Sequence, residues 1–159
     1  MQAERRTALA APSFRDRARF FGVAAAVVAA DQVTKLLIVR SIAEGDRVQI
    51  VDDVLVLSHV RNSGAAFGTL RGFGGLLALA AVCGIAVFAV VVWRRPGAAV
   101  GVAAALVAGG AMGNLIDRLA RGTVVDFIDF RFWPAFNVAD SAISVGAVLL
   151  VLFGFERKK

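Results

Sequence analysis

The chain reads as an all-α membrane protein: four spanning helices with a small β element on the outer side. Three observations predict this. Of 159 residues, 58% are hydrophobic and the mean hydropathy is +0.74, against ~45–50% apolar in an ordinary soluble domain. The excess falls in four blocks, each near the ~20 residues a helix needs to cross ~30 Å of hydrocarbon. Basic clusters sit at the ends of those blocks.

The blocks run in order from Phe20 to Val39, Gly72 to Trp93, Pro96 to Ile116, and Phe136 to Phe155. The second and third carry no charge, the first is interrupted by Asp31 and Lys35, and the fourth holds only Asp140. The first block runs past the apolar length of a cleavable signal and lacks a small-residue cleavage pattern, so it is read as a span. "RDRAR" (15–19), "WRRPG" (93–97) and "ERKK" (156–159) all fall on one side of a four-span chain. The positive-inside rule makes that side cytoplasmic, with both termini there. Residues ~41–71 and ~117–135 are then outside. Residues 1–18 are expected to be a disordered cytoplasmic tail, 19–156 the membrane domain, and 157–159 a basic end. The net charge of +6 is a topology signal rather than a sign of nucleic-acid binding. Cys83, the one cysteine, excludes an internal disulfide and reads as a small packed residue.

Helical rise places the polar residues by depth. Asp31 lies ~17 Å and Lys35 ~23 Å above the inner end of the first span. Asn114 and Asp117 lie ~26 and ~30 Å up the third, and Asp140 ~22 Å up the fourth. Three spans thus bring their polar groups to the outer half of the membrane. Such groups are costly in lipid and are expected to face one another or a wet cavity. Asp126 is expected on the loop between spans three and four, free to dip in beside Asp140.

In the outer segment 41–71, "RVQIV", "DD" and "VLVLSHV" read as two β-runs about a short turn. "RNSGAAFGTLRGFGG" follows, and its small residues permit close backbone approach. A strand edge there suits an extended peptide; a cap over the helix ends is the plainer alternative.

The chemistry these residues support is narrow. There is no H-E-x-x-H, and His59 is the only histidine, so a zinc site lacks ligands. There is no G-x-S-x-G elbow. A Ser141/Lys35 dyad is conceivable, but Lys35 stands at i+4 from Asp31, where an ion pair is simpler. An aspartyl dyad of Asp126 and Asp140 remains: two close carboxylates share a proton, one activating water and the other polarising a carbonyl. On spacing alone, Asp140 as a helix N-cap and Asp126 bonded to loop arginines explains the pair as well.

"DQVTK" (31–35), "RNSGAAFG" (61–68), "GNLIDRLARGTVVDFIDF" (113–130) and "FNVADSAI" (136–143) resemble, in order, the signature blocks of the lipoprotein signal peptidase (signal peptidase II) family. The resemblance covers essentially the whole chain after residue ~18. It implies four transmembrane helices with an extracytoplasmic β-cradle, in the bacterial inner membrane, and an aspartic endopeptidase without a metal or other cofactor. The implied partners are a diacylated prolipoprotein cleaved just before its lipidated cysteine, membrane lipid, and a globomycin-type peptide inhibitor.

The resemblance implies Asp126 and Asp140 as the catalytic pair. Asp31, Lys35, Asn62, Gly64, Phe67, Asn114, Asp117, Arg118 and Asn137 are the supporting or substrate-binding positions. Each asparagine serves equally well as a helix-packing residue, and Phe67 as an interfacial anchor. Asp117 and Arg118 are expected to pair; Arg118 or Arg121 alternatively steadies the dyad or a lipid headgroup. Trp93 and Trp133 read as interface anchors. Two departures stand out: "FIDFRFWPAF" between the two aspartates is short for the family, and the N-terminal tail is long. A proton-coupled transporter also carries intramembrane acids, but here they lie at one face only.

Overall fold

The computed structural model describes residues 13–63 and 98–154. The uncharged second block, Gly64, Phe67, Cys83 and Trp93 lie outside them. Helix α1 spans Phe14–Ser41. It opens with a capping box in which the Ser13 hydroxyl accepts from the Asp16 amide and the Asp16 carboxylate accepts from the Ser13 amide. At ~1.5 Å per residue its 28 residues measure about 42 Å, more than a bilayer core. Its buried residues are Asp31, Lys35 and Ile38, while Val33 and Leu37 stay exposed. A helix that turns charges inward and aliphatics outward is built for lipid rather than water.

Strands β1 (Arg47–Val51) and β2 (Leu55–Asn62) form an antiparallel hairpin. The two β-runs expected around "DD" are therefore present, and Asp53 takes the left-handed conformation (φ 56°) the turn requires. Helix α2 covers Ala98–Arg121. It ends where Gly122 adopts φ 72° and donates to the Arg118 carbonyl. Strand β3 (Val124–Asp129) then pairs with β2, making a three-stranded sheet in the order β1-β2-β3. Helix α3 runs Val138–Gly154.

Two expectations are corrected. The third block's helix continues past Ile116 to Arg121, so Arg118 is helical rather than beyond the span; Asp117, which helical rise sets at the outer end, is helical too. Asp126 is not on a free loop but inside β3. The run "VVDFID" offers β-branched and aromatic residues, which fit a pleated surface, and the open edge of β2 satisfies their backbone groups. By length and apolar composition α1 and α2 are candidate spans. Helix α3, at 17 residues, reaches about 26 Å.

The helices pack through small residues. Ala103, Ala104 and Ala105 of α2 are fully buried. Gly110 lies so close to the Ala139 carbonyl that a side chain would overlap it. A Cβ on Gly113 would stand 2.6 Å from the Asp31 carboxylate. Close approach of this kind lets packing and hydrogen bonds, rather than the hydrophobic effect, hold helices together in lipid. Below the sheet, Ile38 of α1 and Ile42, which caps its C-terminus, meet Val125 and Phe127 of β3. This contact seats the strand carrying Asp126 on the end of α1.

Candidate active site

The site is assembled from five elements, α1, β2, α2, β3 and α3, whose local geometry is set by sequence. Asn137 caps α3: its side-chain oxygen accepts from the Asp140 amide at 2.9 Å, and its own amide donates to the Asp140 carboxylate at 3.3 Å. This is a capping box with aspartate at the third helical position. Asn137, not Asp140, is therefore the N-cap, and Asp140 is fixed one turn into the helix. The amide before Asp140, that of Ala139, is taken by Asp31 of α1 at 2.9 Å. Two of the first-turn donors that a helix cannot satisfy internally, those of Ala139 and Asp140, are thus filled by residues around the site.

Strand pairing positions the second acid. Val60 lies opposite Asp126, and Asn62 opposite Val124. Asn62 and Asp126 are diagonal neighbours on one face of the sheet, within reach of each other. The Asn62 amide donates to Asp126 Oδ2 at 2.9 Å, and Asn137 Nδ2 donates to Asp126 Oδ1 at 2.7 Å. Asn114 of α2 donates to Asp140 Oδ1 at 2.8 Å. Asn137 thus touches both acids, and both line one cavity of about 530 Å³. Arg118, Trp133, Phe136 and Ser141 lie on its walls.

Asp126 is 3% exposed. Burial, opposed by the Asn62 bond and reinforced by the charge of Asp140, pushes its carboxyl up from the usual 3.8 to about 6.

Behind the asparagines lies a second, charged layer. Lys35 is fully buried and bridges Asp31 and Asp117, each at 2.9 Å. Asp117 also holds Arg121 of its own helix and accepts from the Val125 amide at 3.2 Å. The i+4 pair expected between Asp31 and Lys35 is present, but Asp117 pairs with Lys35 and Arg121 rather than with Arg118. Arg118 instead lines the cavity and donates to the Asn114 carbonyl at 3.4 Å. Among the described residues no arginine forms an ion pair with Asp126: Arg121 is on Asp117, Arg131 on Asp53 and Arg61 on Glu44. No Ser141/Lys35 dyad is formed, because the Ser141 hydroxyl donates to the Asn137 carbonyl while Lys35 is saturated by Asp31, Asp117 and Asn114.

The structure therefore gathers Asp31, Lys35, Asn62, Asn114, Asp117, Asn137, Asp126 and Asp140 into one network. Gln32 belongs to it as well: its amide donates to Asp31 Oδ2 and to the Gly113 carbonyl, both at 3.1 Å. An amide inside an apolar span, beside Asp31, was the signal that could have revealed it. The short connection after β3 folds back so that Phe136 and Ile128 exchange backbone bonds at 2.8 and 3.0 Å. This brings Trp133 and Pro134 to the cavity wall.

A family model described as "Signal peptidase (SPase) II" matches residues 23–156. The chain is 40% identical over 134 residues to a lipoprotein signal peptidase of Halothermothrix orenii, covering 84% of this chain and 92% of that protein. A lipoprotein signal peptidase of Rhodococcus jostii is 44% identical over 152 residues, 88% of this chain and 75% of the other. A solved bacterial membrane enzyme, determined by the in meso method at 2.3 Å resolution, superposes with a TM-score of 0.81. It is 30% identical and covers 94% of this chain and 97% of its own.

Proposed function

The chain belongs to the signal peptidase II family of membrane aspartic proteases, which remove the signal peptide from prolipoproteins, and from that premise we propose that Asp126 and Asp140 are its catalytic pair. The observation that carries this reading is the shared asparagine: acids from two separate elements line one cavity and are both bonded to Asn137. Two carboxylates so placed resist ionising together and hold one proton between them.

The reaction follows from that proton. The ionised carboxylate takes a proton from water as the water oxygen bonds to the scissile carbonyl carbon. The protonated carboxyl donates to the carbonyl oxygen, so no free oxyanion develops. The tetrahedral intermediate collapses with loss of the C–N bond: the carboxyl that took the water proton passes it to the departing amine, while the other carboxylate takes back a hydroxyl proton as the new carbonyl forms, so the pair again holds one proton. Asn62, Asn114 and Asn137 hold the carboxylates in place. Arg118 offers a cation at the wall, suited to a substrate carbonyl or a lipid headgroup.

The substrate class follows from the setting. The departing amine belongs to a cysteine carrying diacylglycerol, whose chains stay in lipid while the peptide enters the cavity. The architecture proposed is four spans: α1, the uncharged block Gly72 to Trp93, α2 and α3. The sheet is proposed as the outer cradle, and Gly64 and Phe67, outside the described residues, are proposed as substrate-binding positions on the family resemblance alone. Both termini then face the cytoplasm of a bacterial inner membrane, in keeping with the basic clusters. A globomycin-type peptide is expected to compete for the same cavity.

Purified protein incubated with a diacylated prolipoprotein and with its unlipidated twin tests this reading. Only the diacylated form is expected to be cut, and Asp126→Asn or Asp140→Asn to leave it whole. Near-normal cleavage by either variant would end the dyad assignment.

A further inference from the structure

Lys35 takes no part in the chemistry above, yet it is fully buried and touches the scaffold of the pair. Three oxygens surround its ammonium: Asp31 Oδ2 and Asp117 Oδ2, each at 2.9 Å, and Asn114 Oδ1 at 3.0 Å. A lysine ammonium has three donors and no acceptor, so these partners use its whole capacity. The third matters most. The other end of the same Asn114 amide donates to Asp140 at 2.8 Å.

An asparagine amide can be placed either way round with almost the same shape. Here only one orientation works. Turned over, Asn114 would set its NH2 against the ammonium, donor against donor, and its oxygen against the Asp140 carboxylate, acceptor against acceptor. Each mismatch leaves a buried polar group unsatisfied, and that is costly. Asn137 helps less, because its one NH2 is shared among Asp126 at 2.7 Å, Asn114 at 3.2 Å and the Val125 carbonyl at 3.3 Å. The bond to Asp126 is the shortest of the three. Asp31 and Asp117, in turn, pin the ammonium from two helices. Gly113 leaves room for Asp31 to do so.

We propose that Lys35 is a positioning residue for cleavage: held by Asp31 and Asp117, it fixes the orientation of Asn114, whose amide then aims Asp140. The relay rests on the dyad reading, since it ends on Asp140. It makes the ion pair one turn along α1 a component of catalysis rather than only of packing.

A double-mutant cycle on the full-length protein in detergent, cutting a diacylated prolipoprotein peptide, tests this. Lys35→Met in the wild-type background is expected to lower kcat about 100-fold, with KM within about twofold, as small misplacements of reacting groups do. Added to Asn114→Ala, the same change is expected to lower kcat by less than about threefold, because the group it acts through is already gone. Equal losses in the two backgrounds would overturn the proposal, leaving Lys35 a stabiliser of the fold. So would a loss confined to KM. Should Lys35→Met not fold, Lys35→Met with Asp117→Asn preserves the charge balance of the cluster and replaces it, with Asp117→Asn alone as reference in both backgrounds. Unimpaired cleavage by Asp140→Asn would instead reject the dyad itself, whatever the cycle returns.

Discussion

Two pairs of aspartates lie close together in this protein, all buried except the half-buried Asp140, and they have opposite partners. Asp31 and Asp117 are joined by Lys35, with Arg121 also on Asp117. Asp126 and Asp140 are joined by asparagines, and among the described residues neither forms an ion pair. In the first pair the carboxylate oxygens are already bonded to cations or, for Asp31 Oδ1, to the Ala139 amide, which leaves none free to take a proton from water. Amides orient the second pair without neutralising it, which is the setting the proposed proton-sharing dyad needs. On the proposed reading the same residue type serves cohesion in one place and chemistry in the other. The choice is made by whether lysine or asparagine stands beside it.

Substitutions in the two pairs should therefore fail differently. The largest effect is expected at Asp140. Asp140→Asn should lower kcat/KM on the order of 10³–10⁴-fold without loss of folded protein, as read by cleavage assay and circular dichroism. A variant that lost its fold instead would dissolve the contrast. Asp117→Ala should act through stability: it strips Lys35 and Arg121 of a buried partner, a change that typically costs about 3–5 kcal/mol. Thermal unfolding in detergent would register it as a lowered midpoint.

The third prediction concerns pH. The Asp126 carboxyl is raised from 3.8 to about 6. A raised group contributes stability that is complete below its unfolded value and is lost as pH rises through the folded one. Asp126→Asn should match wild type near the acid end and exceed it above about pH 6, by up to roughly 3 kcal/mol at 1.36 kcal/mol per unit. Parallel melting curves for the two proteins across that range would contradict this. The smallest effect is expected at the exposed Arg131–Asp53 pair, 3.0 Å apart. Arg131→Ala should change stability by less than about 1 kcal/mol, providing a surface baseline for the buried pairs.

Much of this was legible before any coordinates. Asp31, Lys35, Asn114 and Asp140 stand out because each interrupts an apolar run, and lipid makes such interruptions expensive unless they converge. The hairpin was legible from "RVQIV", "DD" and "VLVLSHV", where alternation and a turn pair coincide. Strand β3 was not, because a six-residue apolar segment after a helix has no period long enough to separate strand from loop. The Asp117–Arg118 pairing failed for a related reason. Neighbouring residues on a helix point about 100° apart, and the continuation of α2 to Arg121 turns Asp117 toward Lys35 and Arg118 toward the cavity.

The sequence by itself determined which residues are too polar for their surroundings, and hence which had to meet: composition and helical period are local properties of the chain. Only the tertiary structure decided how they divide. Lys35 of α1 reaches Asp117 across 82 positions, and Asn137 spans the gap between β3 and α3. Those meetings depend on helix crossings set by close contacts at Gly110 and Gly113 and on the register of β2 against β3. Crossing angle and register arise from side chains far apart in the chain packing together, and no single stretch of sequence contains them.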